Sequence, residues 1–488
     1  MHGSGLTSLL IFHCLFLASC KGDSGNNIGV SIGSLKSFQL PTPPSPSPRQ
    51  QRLARFGKKL FFDKRLSESG QISCATCHRP ELSFTDGLVR AKGTGPLHLN
   101  TPTVINSQQG VYFFWDGRVD SLAAQALQPI EHPSEHGISR GHVVAHLLSH
   151  YSSEYVQNFG TFPPHLKGLH ADLKRGALPP PQNLKMDQSL LDNIVTTIGN
   201  PDWLQSILSA AKQQRPAVLH ALTESGNPSS VPDEWILRYS SLSRKQQRAV
   251  DEVFFNFGRA VTAYQLNLIA NQSPFDQFLK RAGQHADVRD ALNRDFGQPE
   301  LRGFGLFTGK GKCHLCHSGP YFTDGEFHNI GLSQLQNAPL HPGRAGGVLK
   351  LRASRFKCMG AEYFGAAVDD RWNEGCAAIE FLRSDHVEIL GAFKTPGLRN
   401  LIKTAPYFHD GRAATLREVI THYLTPGRPA VGHREETLAG IRLETAEIDD
   451  LIAFLHSLES PVIDLADPAV ALSPSEKTGP SESGRTLF

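Results

Sequence analysis

Two short stretches hold residues whose types and spacing could do chemistry. Residues 74–87 read CATCHRPELSFTDG, and residues 313–325 read CHLCHSGPYFTDG. In each, two cysteines separated by two residues are followed at once by a histidine: Cys74, Cys77 and His78, then Cys313, Cys316 and His317. Cys-x-x-Cys-His is the attachment pattern of c-type haem. The two thiols add across the vinyl groups as thioethers, and the adjacent histidine lies beneath the ring as the proximal ligand to iron. The competing chemistry is zinc, which would need cysteines and histidines gathered at one site. Zinc would have to pool ligands from two distant parts of the chain, and it would not require the same residue order in both. The pattern and its duplication point to two covalent haems.

The duplication extends beyond the motifs. Gly57-x-x-Leu60-Phe61 precedes the first and Gly303-x-x-Leu306-Phe307 the second. TPTVIN at 101–106 is answered by TPGLRN at 395–400, and FFWDGR at 113–118 by YFHDGR at 407–412. Ser121-Leu122 and Thr415-Leu416 follow at matching offsets. The chain reads as two diverged copies of one supersecondary unit.

At 488 residues, two or more domains with real cores are expected. The net charge of +3 is close to balance, and no run of Lys/Arg is interleaved with aromatics, so no nucleic-acid partner is expected. Residues 6–17, LTSLLIFHCLFL, are apolar but too short to span a bilayer permanently, and they run into LASC at 17–20. This resembles a bacterial lipoprotein signal over 1–20, with Cys20 lipidated. Residues 1–10 contain no Lys or Arg, so a plain secretory signal is the alternative. The expectation is a periplasmic or cell-envelope protein that meets the membrane only through a lipid anchor at Cys20. Residues 21–50, with PTPPSPSP at 41–48, read as a Pro/Ser tether. In an oxidising compartment Cys358 and Cys376 would close a disulfide, a free redox pair being the alternative.

Strand patterns are scarce, so the reading is all-α: a mostly helical protein with long loops. VDEVFFNFGRAVTAYQ at 250–265 has helical apolar spacing. The expected units are an N-terminal domain over 51–295 with a helical insertion at about 161–249, a C-terminal domain over 296–465, and a loose tail over 466–488. After Thr415, LREVITHY opens with a capping box (Thr415, Glu418), and Leu416, Val419, Ile420 and Tyr423 fall on one face. Tyr423 is either a core tyrosine or an axial ligand to the second haem, with His422 the neighbouring alternative. The equivalent position in the first copy is Pro129, which has no atom able to bind iron.

The tandem motifs, with TPTVIN, FFWDGR, QALQPIEHPSE at 125–135 and TAPYFHDGR at 404–412, resemble the bacterial di-haem cytochrome c peroxidase superfamily, including its MauG type. The resemblance covers roughly 52–160 and 250–460. It implies two cytochrome c-like domains, each with one covalently attached haem. It further implies that Glu135 is the distal carboxylate acting on peroxide at the first haem, that Gln125 supports it, and that Trp115 relays electrons between the haems. The family's second haem takes Met or, in the MauG type, Tyr; here Tyr423 stands in that place. The distal His of ordinary peroxidases falls at Lys92, with His98 out of register, which implies an open first haem. A calcium ion is implied at Asn100, Thr404 and Pro406, with His409 near it.

The function expected is an oxidoreductase that reduces hydrogen peroxide at the first haem, using electrons relayed through a Tyr-ligated second haem. The donor would be a small cytochrome c or cupredoxin. One alternative is a MauG-type oxidase that modifies a protein or organic substrate through high-valent iron. An alternative of another class is a di-haem electron carrier without enzymatic activity.

Overall fold

Helix α1 (Pro48–Phe61) begins where Ser47 and Gln50 cap each other reciprocally and Pro48 takes the first helical position. The computed structural model describes residues 35–43, 45–169, 239–335, 340–358, 379, 381–465 and 471–472. The signal segment 1–20, most of the insertion, Cys376 and nearly all of the tail lie outside the described residues. Along the chain follow α2 (Leu122–Glu131), α3 (Arg140–His150), α4 (Arg244–Gln265), α5 (Pro274–Ala282), α6 (Gln298–Thr308), α7 (Arg344–Ala353), α8 (Leu416–Leu424) and α9 (Thr445–His456). Among the described residues, five strands of two or three residues make two small sheets, so the fold is helix-rich. Among the described residues no helix is long and apolar enough to cross a membrane.

The repeat seen in the sequence is a repeat of structure. In the first unit α1 crosses α4, and in the second α6 crosses α9. Each crossing is made at the glycine of the repeated Gly-x-x-Leu-Phe. A Cβ on Gly57 would lie 1.7 Å from the Ala260 carbonyl oxygen, and one on Gly303 would lie 2.0 Å from that of Asp450. Backbone cannot yield as a flexible side chain can. Gly57→Ala and Gly303→Ala are each expected to cost about 1–3 kcal/mol or more through overpacking. Denaturant midpoints check this; unchanged values would mean that the helices do not meet at these residues. The turns repeat as well. Phe113 bridges Val119, and Tyr407 bridges Ala413. The pairs Phe84/Phe322, Asn106/Asn400 and Phe114/Phe408 all hold positive φ.

Each unit has its own core. Phe61, Leu127, Ile130, Val143, Phe254, Phe257 and Tyr264 anchor the first. The second is a phenylalanine cluster of Phe275, Phe278, Phe296, Phe304, Phe307, Phe322 and Phe454. It differs from the sequence reading in two ways. Helix α5 packs into it ahead of the expected boundary at 296, and Leu35 and Phe38, read as part of the tether, are buried in it. Phe38 stacks on Phe322 with ring centroids 5.0 Å apart. Two apolar side chains beside a Pro-rich run are enough to fasten the segment once a greasy surface lies within reach.

The segment 344–358 comes from the second unit but packs on the first. Arg355 pairs with buried Asp251 at 2.7 Å, Phe356 lies against Phe254 and Phe255, and the Cys358 amide donates to Asp120. Cys358 is disulfide-bonded; its expected partner, Cys376, lies outside the described residues.

Candidate functional site

Both motif histidines are oriented by the same local device. The His78 Nδ1–H donates to the Phe84 carbonyl and the His317 Nδ1–H to that of Phe322, each at 3.0 Å. Both phenylalanines have φ near +58°, which turns their carbonyls back toward the imidazoles. With Nδ1 committed, Nε2 is the nitrogen left for a metal. Burial pushes the Cys74, Cys77 and Cys313 thiols up to about 12, so none is a thiolate at neutral pH.

His78 and His317 line one continuous cavity of about 1770 Å³ together with Cys77, Cys313 and Cys316. Ordinary single-ligand clefts hold roughly 300–1,000 Å³, so this one has room for two large cofactors. The zinc alternative finds no support in the ligand geometry. Among the described residues, the three ligand atoms that come together belong to Cys316, Asp324 and His328, and the four motif cysteines do not converge.

On the first side, α2 and the loop after it supply Gln125, Pro129 and Glu135 to the cavity wall. The Gln125 Oε1 is buried without a hydrogen-bond partner. Burial raises Glu135 to about 7, against the pull of the Arg118 guanidinium. Arg118 lies 3.5 Å over the Phe114 ring, donates to Gln128 and pairs with Asp116 at 3.0 Å. His98 lines the cavity and Lys92 does not.

On the second side, α8 presents Leu416, Val419, Ile420 and Tyr423 to the same cavity, near Cys313 and Cys316. Burial drives the Tyr423 phenol above its usual range. His422 points elsewhere, its Nε2 bonded to the Ile330 carbonyl at 2.8 Å. Pro129 and Tyr423 thus occupy matching positions on their helices, and both line the cavity.

Between the two sides, the Trp115 Nε1 donates to the Asn100 carbonyl at 2.9 Å, and the Trp115 carbonyl accepts from the Lys394 amide. Its ring meets His409 edge-on at 6.4 Å, and His409 stacks on Phe393 at 3.5 Å. Asn100, Thr404 and Pro406 line the cavity as well.

Residues 51–196 match the family model described as di-haem cytochrome c peroxidase. The chain is 28% identical over 435 residues to the methylamine utilization protein MauG of Methylorubrum extorquens, covering 88% of this chain and 83% of the relative. It is 26% identical over 442 residues to cytochrome c551 peroxidase of Nitrosomonas europaea, covering 89% and 87%. The chain is thus similar to the di-haem cytochrome c peroxidases, over residues 51–196 by the family model and over most of its length by these relatives. It is an oxidoreductase, the class named by both the matching family model and these relatives. Its fold is shared with a variant of the diheme peroxidase BthA from Burkholderia thailandensis, at 18% identity and a TM-score of 0.50, covering 86% of this chain and 90% of the other.

Two features of the cavity wall were not evident from the sequence. Arg118 stands inside the quoted FFWDGR, yet nothing in that string says that its guanidinium would face Glu135. Lys350 carries no motif at all, and it reaches the first side only because α7 crosses from the second unit.

Proposed function

We propose that the chain reduces hydrogen peroxide at the site around His78 and draws electrons through the site around His317 and Tyr423. A c-type haem on each motif would supply an iron that binds and reduces peroxide at the first site and one that passes electrons at the second. The observation that carries this reading is the asymmetry of a single cavity, with Glu135, Gln125 and Pro129 on one side and Tyr423 on the other.

Glu135 takes the proton from the near oxygen of peroxide and returns it to the departing oxygen. A carboxyl poised near neutrality suits both halves of that task. Gln125, with its uncommitted Oε1, orients the carboxyl or the peroxide. Pro129 keeps the adjacent wall free of any ligating atom, and Trp115 carries electrons between the two sides. A calcium ion is proposed at Asn100, Thr404 and Pro406. The Asn100 Nδ2 is committed to the Leu88 carbonyl, which leaves Oδ1 as an acceptor, and oxygen donors of this kind suit calcium. Metal analysis of the purified protein checks it. The electron donor is a small cytochrome c or cupredoxin. Tyr423 favours a second reading, oxidation of a protein or organic substrate in the MauG manner. We place the protein in the cell envelope, lipid-anchored at Cys20, which the mass of the mature N-terminus would test.

The ferric protein is expected to show one high-spin and one low-spin EPR signal, both diminished by peroxide. Two low-spin signals indifferent to peroxide would overturn the reading in favour of a plain electron carrier.

A further inference from the structure

Helix α7 belongs to the second unit but docks on the turn Trp115–Arg118 of the first. Residues one turn apart on one face make the dock. Arg344 donates from Nη1 to the Gly117 carbonyl at 2.6 Å. Gly347 follows, so close that a Cβ there would stand 1.8 Å from the Asp116 carbonyl oxygen. Lys350 is next, and it lines the cavity. Contact between the helix and the turn therefore sets where the lysine points. Lys350 itself makes no hydrogen bond or ion pair among the described residues.

The charge around Lys350 is unbalanced. Asp116, fully buried, already pairs with Arg118 at 3.0 Å. Its other oxygen has no hydrogen-bond partner and lies 3.9 Å from the His341 Nε2. His132 and His341 are held well below their usual pKa by burial, with Arg118 and Lys350 adding to the effect, so neither carries charge at pH 7. Glu135 feels the pull of Arg118, while burial favours its neutral form. Two cations thus face one carboxylate at the wall of a cavity. An ammonium buried without a partner is costly, so such a group either gives up its proton or meets an anion.

We propose that Lys350, with Arg118 beside it, forms a subsite for an anionic carboxylate group on the first side of the cavity. The carboxylate comes either from the bound cofactor or from a small anionic co-substrate. The proposal rests on the reading that the cavity holds two haems.

Two measurements on the purified full chain separate the sources. Sodium formate is titrated into the ferric protein with the haem absorbance bands as signal, and the reduction potentials of both haems are measured. Wild type is compared with Lys350→Met and Lys350→Arg, and Lys350→Gln replaces the methionine variant if that one folds poorly. If the subsite takes a small anion, formate gives a saturable change. Its Kd then rises about tenfold or more in Lys350→Met, as expected for loss of a charged hydrogen bond, and Lys350→Arg restores most of the affinity. If the subsite takes a cofactor carboxylate, formate has no effect and the potential of one haem falls in Lys350→Met, because a nearby cation has gone. Lys350→Arg then restores that potential. Potentials unmoved by the substitution, combined with a formate response that is absent or the same in Lys350→Met, overturn the proposal. Haem is counted in parallel. Fewer than two haems per wild-type chain would overturn the di-haem reading itself, whereas two haems with no effect of Lys350 overturn only the subsite.

Discussion

On the proposed function, Glu135→Gln is expected to slow the reaction with hydrogen peroxide by about 10²–10⁴-fold, the usual worth of a positioned acid–base group. Haem content and the ferric spectrum stay as in wild type. The amide fills the same space but can neither take the peroxide proton nor return it. The pH profile gives a second signature. Glu135 has its pKa raised to about 7, so the carboxylate that begins the reaction becomes populated as pH rises through that value. The wild-type rate should climb between pH 5 and 8, and the residual rate of the variant should be flat across that range. Stability moves the other way. A carboxyl whose folded pKa is raised binds its proton more tightly in the folded state. Its contribution is therefore full below the ordinary carboxylate range and is lost as pH rises toward 7. The variant should be no less stable than wild type at pH 8, which separates lost chemistry from lost fold. Stopped-flow rates within threefold of wild type would show that Glu135 is only a wall residue.

Tyr423 carries the second large effect. If Tyr423 ligates the second haem as proposed, Tyr423→Met exchanges a charge-donating oxygen for a thioether and is expected to raise that haem's potential, by on the order of 0.1 V or more within the ~0.8 V span that axial ligands command. Tyr423→Phe leaves no ligating atom, and the low-spin ferric signal is expected to turn high-spin. Burial holds the phenol protonated in the protein alone, so only a bound metal cation would draw its proton. A spectrum unchanged in Tyr423→Phe would identify it as a core tyrosine and nothing more. In that case the hydrogen bond from His422 to Ile330 leaves no neighbouring side chain on α8 to take its place.

Much of this site can be read without a structure because its parts are local. The Cys-x-x-Cys-His runs, the capping box at Thr415 and Glu418, and the one-face spacing that ends at Tyr423 all lie within a few residues of each other. Local backbone geometry alone decides their mutual orientation. Laying one copy on the other compared positions that the fold then used alike, down to the glycines at the helix crossings. Leu35 and Phe38 escaped because their burial depends on a surface built by Phe304, Phe307 and Phe322 far along the chain. Gln125 and Glu135 were placed by resemblance, and Pro129 by its register with Tyr423 in the repeat. What the tertiary structure adds is that they share one cavity wall, with Glu135 shielded enough to sit near neutrality.

By itself, then, the sequence determined that there are two copies of one unit, which residues can hold a haem in each, and that Pro129 and Tyr423 make the copies unequal. These are matters of covalent order and helical period. Only the tertiary structure decided that both motif histidines open on one cavity, that Trp115 hangs from Asn100 between the two sides, and that a helix of the second unit delivers Lys350 to the first. Those outcomes depend on how two cores dock. Docking is settled by backbone contacts such as Gly347 on Asp116, between residues hundreds of positions apart that no local pattern links.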